Sequence, residues 1–253
     1  MRLVPRILLA GVLIATLGAI AASPPATAGG ACGHPVFTTR APYGYWNGSG
    51  YTVSNDVWNG AGHHVRQRLS VCGPASWYAD TRLPRRTDDE VKSYPNAHVD
   101  FGEPRLSAFR ALRVSWASRL PQRGRWDAAW DVWLDGRPGK DAGVGRKEVM
   151  VWTDGRGSVP LGHPVGSARF AGRHWQVWRA RGLAHPYVAF VPSGRIARGS
   201  LDLMRPLRWL LHRHWVRSHV TLGQAAYGFE VVATHGRRLH FATTGLSIHG
   251  VRR

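Results

Sequence analysis

The sequence predicts an all-β sandwich or barrel that carries one helix. Two patterns support this. From Cys32 onward, short apolar or alternating runs follow one another, broken by Gly, Pro, Asn and Asp; the chain has 30 Gly and 16 Pro. Closely spaced strands with turn residues between them fold as sandwiches or barrels. Against these runs stands one stretch of helical periodicity.

The candidate strands, in order, are "YTVSNDVW", "VRQRLSVC", "ASWYAD", "RALRVSWAS", "WDAAWDVWL", "KEVMVWT", "ARFAGRHWQVWRA", "YVAFVPS", "AAYGFEVVA" and "LHFATTGLSIHG". In "SLDLMRPLRWLLHRHWV", Leu203, Leu207, Leu210, Leu211 and Trp215 recur at helical spacing. This predicts an amphipathic helix over about 203–216, packed on the outside of a sheet. Ser200 or Asp202 is placed to cap its start, and Pro206 is early enough for a first turn. No repeat or low-complexity linker divides the chain.

The first 28 residues read as a signal peptide. "MRLVPR" is a short basic start, "ILLAGVLIATLGAIAA" is apolar over a secretory length, and Ala26-Thr27-Ala28 is a small-x-small cleavage site. The expectation is a secreted chain cleaved near Ala28, with residues 29–253 as one domain and no later segment apolar enough to span a bilayer. In a secreted chain, the two cysteines, Cys32 and Cys72, are expected to join. Closing a loop of about 40 residues contributes about 3–4 kcal/mol in the chain-entropy account. No Cys/His spacing resembles a zinc site, and His63-His64 and His212-x-His214 read as surface residues.

The formal net charge is +19. Such a surface adheres to polyanions. The arginines form neither a tight block nor a helix stripe, so the charge reads as a surface property and not as a specific nucleic-acid site.

Carboxylates are scarce enough to be followed one by one. The only glutamates are Glu90, Glu103, Glu148 and Glu230. Glu90 in "RRTDDEVK" and Glu103 in "DFGEPR" read as loop residues. The other two interrupt strands. Side chains alternate across a sheet, so Glu148 shares a face with Met150 and Trp152, while Val149 and Val151 take the other. Glu230 shares its face with Gly228 and Val232, opposite Phe229 and Val231. Asp131 in "AAWDVWLDG" faces the same way as Trp133, with Val132 and Leu134 turned to the core. Solvated strand ends would explain each acid singly. Acids and indoles on common faces point instead to a sugar-binding cleft, because indoles stack on pyranose rings and paired carboxylates act at glycosidic bonds.

With those residues in view, the chain from about Tyr51 to Gly250 resembles glycoside hydrolase family 12, small secreted endo-β-1,4-glucanases and xyloglucanases. "KEVMVW", with "VPLG" shortly after, is similar to the family's nucleophile segment, which makes Glu148 the nucleophile. "WDVW" resembles the segment whose Asp hydrogen-bonds that nucleophile, here Asp131. "YGFEVV" resembles the segment of the general acid/base, here Glu230. "VKSYPN" is close to a further family stretch. "YTVSNDVWNG" and "SWYAD" resemble glycan-binding segments and bring in Asn55, Trp58 and Trp77; Trp133, Met150 and Trp152 complete the expected substrate-binding set. Asp56 and Asn59 depart from the family's Asn and Gly, and Arg82 and Leu83 stand where a Trp pair often follows.

The resemblance implies a β-jelly roll of two curved antiparallel sheets, with the helix on the convex side. It implies a retaining hydrolase of β-1,4-glucan that needs no metal or cofactor and works as a monomer. The rival readings are a non-catalytic glycan-binding sandwich and a basic envelope protein that binds polyanions. The choice among cellulose, mixed-linkage glucan and xyloglucan stays open.

Overall fold

The computed structural model describes residues 32–138, 146–181 and 185–253. The signal peptide expected over 1–28 lies outside them. Fifteen strands and one α-helix are described. The first seven strands are β1 (Phe37–Thr39), β2 (Tyr45–Gly48), β3 (Tyr51–Ser54), β4 (Arg66–Gly73), β5 (Ser76–Arg82), β6 (Asn96–Asp100) and β7 (Phe109–Arg119). Next come β8 (Arg125–Leu134), β9 (Lys147–Arg156), β10 (His163–Phe170), β11 (Arg173–Ala180), β12 (Tyr187–Pro192) and β13 (Arg198–Asp202). The helix α1 (Met204–His212), β14 (Leu222–Ala233) and β15 (Leu239–Arg252) end the chain.

The strands form two sheets. The six-stranded sheet has the order β1-β4-β5-β15-β7-β13, and the nine-stranded sheet β10-β11-β12-β9-β8-β14-β6-β3-β2. Apolar residues at every second position make this sandwich. In β8, Trp126, Ala128, Trp130, Val132 and Leu134 enter the main core. Aromatic rings then lock the sheets together: Trp77 on β5 against Phe229 on β14 at 5.3 Å, Trp116 on β7 against Trp130 at 6.0 Å, and Trp126 against Phe241 on β15 at 5.9 Å. Ring pairs at these separations add to simple burial. This is the predicted jelly-roll architecture.

Several details differ from the sequence reading. The run 168–180 is a hairpin, not one strand: Ala171 and Gly172, at φ 52° and 70°, turn β10 into β11. Two positive φ values suit a tight turn between twisted strands. β1, β2, β6 and β13 have only three to five residues each, too few to show a period. The sheets are not wholly antiparallel either. β12 pairs β9 in parallel, because the β10–β11 hairpin lies beyond β12 and returns the chain in the direction of β9.

The helix forms where its apolar residues recur but ends at His212 instead of 216. Leu203, Leu207 and Leu210 are buried, while Leu211 and Trp215 are half-buried. Asp202 lies just before the helix, where its Oδ1 accepts the N–H of Met204 at 3.0 Å and of Leu112 at 2.9 Å. Trp209 packs edge-on against Phe190 of β12 at 5.6 Å. Phe190 belongs to the main core, so α1 sits on the opposite side of the nine-stranded sheet from Glu148. Cys32 and Cys72 are disulfide-bonded, tying the start of the described chain to β4.

Candidate active site

The face of the nine-stranded sheet turned away from the core carries the acids. On β8 this face presents Asp127, Ala129, Asp131 and Trp133; on β9, Glu148, Met150 and Trp152; on β14, Gln224, Ala226, Gly228 and Glu230. The register fixes their neighbours. Glu148 is paired with Trp133, Met150 with Asp131, and Glu230 with Asp127. Glu148 and Glu230 therefore flank β8 from opposite sides, staggered along it, with Asp131 in the strand between them.

Beneath the carboxylates lies a small apolar cluster of Ala129, Met150, Trp152, Ala180, Tyr187 and Ala189, with Trp178 and Val191 packed against it. Met150 is 1% exposed and accepts the Tyr187 hydroxyl on its sulfur at 3.2 Å. It and Trp152 form the floor of the site and remove water from the acids above.

This environment shifts the acids. Burial, opposed by a hydrogen bond from Asp127 and reinforced by the charge of Glu148, raises Glu230 to about 7. Asp127 is itself buried, and burial together with the Glu230 charge lifts it well above the usual carboxylate range. The shifts favour Asp127 as the proton donor of its hydrogen bond to Glu230, which raises Asp127 and lowers Glu230. Burial and the Glu148 charge also raise Asp131 far, only partly offset by its bond from Trp133. Asp56, read as a departure from the glycan-binding pattern, joins the group: burial raises it to about 6 and its charge acts on Asp131. These are the two causes that hold one carboxyl neutral beside an ionised one.

The hydrogen bonds of Glu148 and Asp131 differ from the expectation. Trp133 Nε1 donates to Asp131 Oδ2 at 2.6 Å, and Asp131 Oδ1 is buried without a hydrogen-bond partner among the described residues. The Glu148 charge acts on Asp131, which makes no hydrogen bond to it. The group bonded to Glu148 is His185, whose Nε2 lies 2.6 Å from Oε2. Sequence reasoning passed over both His185 and Asp127. "LAHPYV" carries no signature, and the pairing of Asp127 with Glu230 exists only once β8 and β14 are in register.

The expected substrate-binding residues divide. Trp58 is 51% exposed, beside Tyr43 at 67% and Tyr45 at 57%. The Tyr43 hydroxyl donates to the Trp58 carbonyl at 3.4 Å. All three rings are exposed, and the tyrosines could have been noticed in "APYGYWNGSGY". Trp133 lines the site, with His185 at 4.9 Å and the Arg146 guanidinium 5.0 Å over its ring. Trp77 and Asn55 are corrections. Trp77 is fully buried in the core against Phe229, on the β5 face it shares with Ala79 and Thr81, while Tyr78, Asp80 and Arg82 take the outer face. Asn55 is also fully buried: its Nδ2 donates to the Ala41 carbonyl, and it accepts from Gln67. Neither is available to a glycan in this structure.

The stretch "VKSYPN" buttresses β14. The Tyr94 hydroxyl donates to the Ala129 carbonyl at 3.1 Å, and the Phe229 N–H donates to the Pro95 carbonyl at 3.1 Å. This close approach needs Gly228. A Cβ there would lie 2.4 Å from the Pro95 carbonyl oxygen. The glycine two residues before Glu230 is therefore required by packing. Among the described residues no cluster of His, Cys, Asp and Glu has the arrangement of a metal site, and no helix is long and apolar enough to cross a membrane.

Comparison with known proteins gives a consistent picture. The family described as Glycosyl hydrolase family 12 matches residues 49–248. The "Probable cellulase Cel12b" of Mycobacterium tuberculosis is 36% identical over 85 residues, which is 33% of this chain and 56% of that protein. The chain thus spans little more than half the length of this relative. Among solved structures, the xyloglucanase domain of NopAA from Sinorhizobium fredii, in complex with cellobiose, superposes with a TM-score of 0.75 at 24% identity, covering 86% of this chain and 100% of that one. The catalytic domain of Humicola grisea Cel12A, soaked with a thio cellotetraose, gives 0.77 at 23% identity, covering 85% and 99%. At these identities the structural matches establish the fold.

Proposed function

The chain belongs to glycosyl hydrolase family 12, and from that premise we propose that it is a retaining endo-hydrolase of β-1,4-glucan. Glu148 attacks the anomeric carbon, forming an ester bond as the glycosidic C–O bond breaks. Glu230 gives its proton to the leaving oxygen. In the second step water attacks the same carbon, Glu230 takes its proton and Glu148 departs. Asp131 and Asp127, both raised by burial and by the charge of the neighbouring glutamates, favour their neutral forms beside the pair.

The observation that carries this reading is the raised acid Glu230 on the sheet face that also carries Glu148. Glu230 is raised to about 7, with the charge of Glu148 among the causes. A general acid must hold its proton when the substrate binds, and this environment favours the protonated form of Glu230. The exposed rings of Tyr43, Tyr45 and Trp58 are of the kind that stack on sugars. The names of the relatives, a cellulase and xyloglucanases, point to the same substrate class.

The Cys32–Cys72 disulfide fits the secreted, single-domain, monomeric enzyme read from the sequence, since such bonds persist in oxidising compartments. Reducing-sugar assays on cellulose, mixed-linkage glucan and xyloglucan test the proposal. At least one polymer should be cleaved, with Glu148→Gln and Glu230→Gln inactive but folded. Binding without turnover would instead favour the non-catalytic sandwich.

A further inference from the structure

We propose that His185 is a positioning residue for the nucleophile, holding one oxygen of Glu148 by a neutral hydrogen bond so that the other is free to attack. The proposal rests on the hydrolase reading of Glu148 given above. Backbone pairing builds the contact. Tyr187 is in register with Glu148 in the parallel β12–β9 ladder, and the Glu148 N–H donates to the Pro186 carbonyl at 3.0 Å. His185, two residues before Tyr187, is thereby carried to the side on which Tyr187 and Glu148 lie. Its ring packs on Trp133, 4.9 Å between centroids, and its Nε2 stands 2.6 Å from Glu148 Oε2.

The proton position follows from chemistry. An imidazole with its proton on Nδ1 would aim the Nε2 lone pair at the carboxylate, so Nε2 carries the proton and donates. Nδ1 is buried with no hydrogen-bond partner among the described residues. A bare lone pair tolerates that better than an N–H would. The ring is therefore the neutral Nε2–H tautomer. The charged and titratable groups around it are Glu148 on β9, Asp131 on β8, Tyr187 on β12, and Arg146, whose guanidinium covers the Trp133 ring.

A donor on Oε2 does two things. It removes the rotational freedom of the carboxylate, and it favours the ionised form, which is both the attacking state and the leaving state of the nucleophile. Asp131 has no hydrogen bond to Glu148 and leaves this role to His185.

Two measurements test this. In isotope-labelled protein, the His185 nitrogen shifts should read a protonated Nε2 and a bare Nδ1, and Glu148→Ala should abolish the hydrogen-bonded Nε2 proton signal. On a polymer that the wild type hydrolyses, His185→Ala should lower kcat about 10–100-fold while changing KM by less than about 3-fold, and should move the acidic limb of the pH profile upward by about one unit. His185→Gln, which restores an N–H donor, should recover most of both. An Nδ1-protonated ring overturns the proposal. So does an unchanged kcat and acidic limb in His185→Ala, or a Gln variant as impaired as Ala. A wild-type protein inert on every glucan defeats the hydrolase reading alone, because the tautomer measurement decides the pair without substrate.

Discussion

Asp127 stands directly across the β8–β14 ladder from Glu230 and donates a hydrogen bond to it. Both acids are raised, Asp127 well above the usual carboxylate range and Glu230 to about 7, with burial the largest cause in each. The hydrogen bond opposes burial and lowers Glu230. Its removal should therefore carry Glu230 above about 7, shifting the basic limb of kcat/KM to higher pH in Asp127→Ala. Asp127→Asn retains a donor and should leave that limb close to wild type. The pH profiles of the three proteins check this; a limb that stays in place in the Ala variant contradicts the assigned contact.

The same residue makes stability depend on pH. Glu230 is raised from 4.5 to about 7. Below about 4.5 both native and unfolded chains hold the proton. Between 4.5 and about 7 only the native state does, so the unfolded chain binds fewer protons and stability falls as pH rises through this window. The rise corresponds to about 3 kcal/mol if Glu230 were sealed from water, and its partial exposure reduces this to about 1–2 kcal/mol. Glu230→Gln removes this contribution. It should match wild type at pH 4 and be the more stable protein at pH 8, measured by denaturant unfolding. Equal slopes with pH for the two proteins would refute the burial of this acid.

Trp58 and Trp77 should respond oppositely to truncation. Trp77→Ala opens a cavity between the sheets and should cost about 3–5 kcal/mol of stability, with KM unchanged in whatever protein remains folded. Trp58→Ala removes an exposed ring and should leave the melting temperature within a degree or two, while raising KM severalfold through lost stacking. Thermal melts and glucan kinetics on the two variants separate core from cleft.

The stagger of Glu148 and Glu230 along β8 makes their separation a demanding test of retention. Retaining pairs work with carboxyl groups about 5–5.5 Å apart, inverting pairs at about 6.5–9.5 Å. A crystal structure with an oligosaccharide across the site should show the shorter distance. A separation beyond about 8 Å would argue for a water between the acids and for inversion.

Much of this site was legible in the sequence because strands alternate strictly. That rule alone put Glu148 with Met150 and Trp152, and set Asp131 and Glu230 on faces opposite core residues. Helical periodicity likewise located Leu203, Leu207 and Leu210. Trp77 shares its β5 face with Ala79 and Thr81, opposite Tyr78, Asp80 and Arg82, and packs on Phe229 in the core, but in the sequence its likeness to a glycan-binding segment outweighs that alternation. What stayed hidden depends on contacts between strands. Asn55 looks like a ligand until Gln67 and the Ala41 carbonyl take its amide. His185 lies 37 residues from Glu148, joined by a parallel pairing that no local pattern announces.

The central claim is that Glu148 becomes covalently bonded to the sugar. A fluorinated cellobiose-type or xyloglucan-type inactivator, whose glycosyl-enzyme hydrolyses slowly, tests it most directly when the labelled protein is digested and its peptides are weighed. The label should fall on Glu148, within "KEVMVW", and be absent from Glu148→Gln. A label on Glu230 or Asp131, or steady turnover releasing α-anomers with no covalent adduct, would contradict the account.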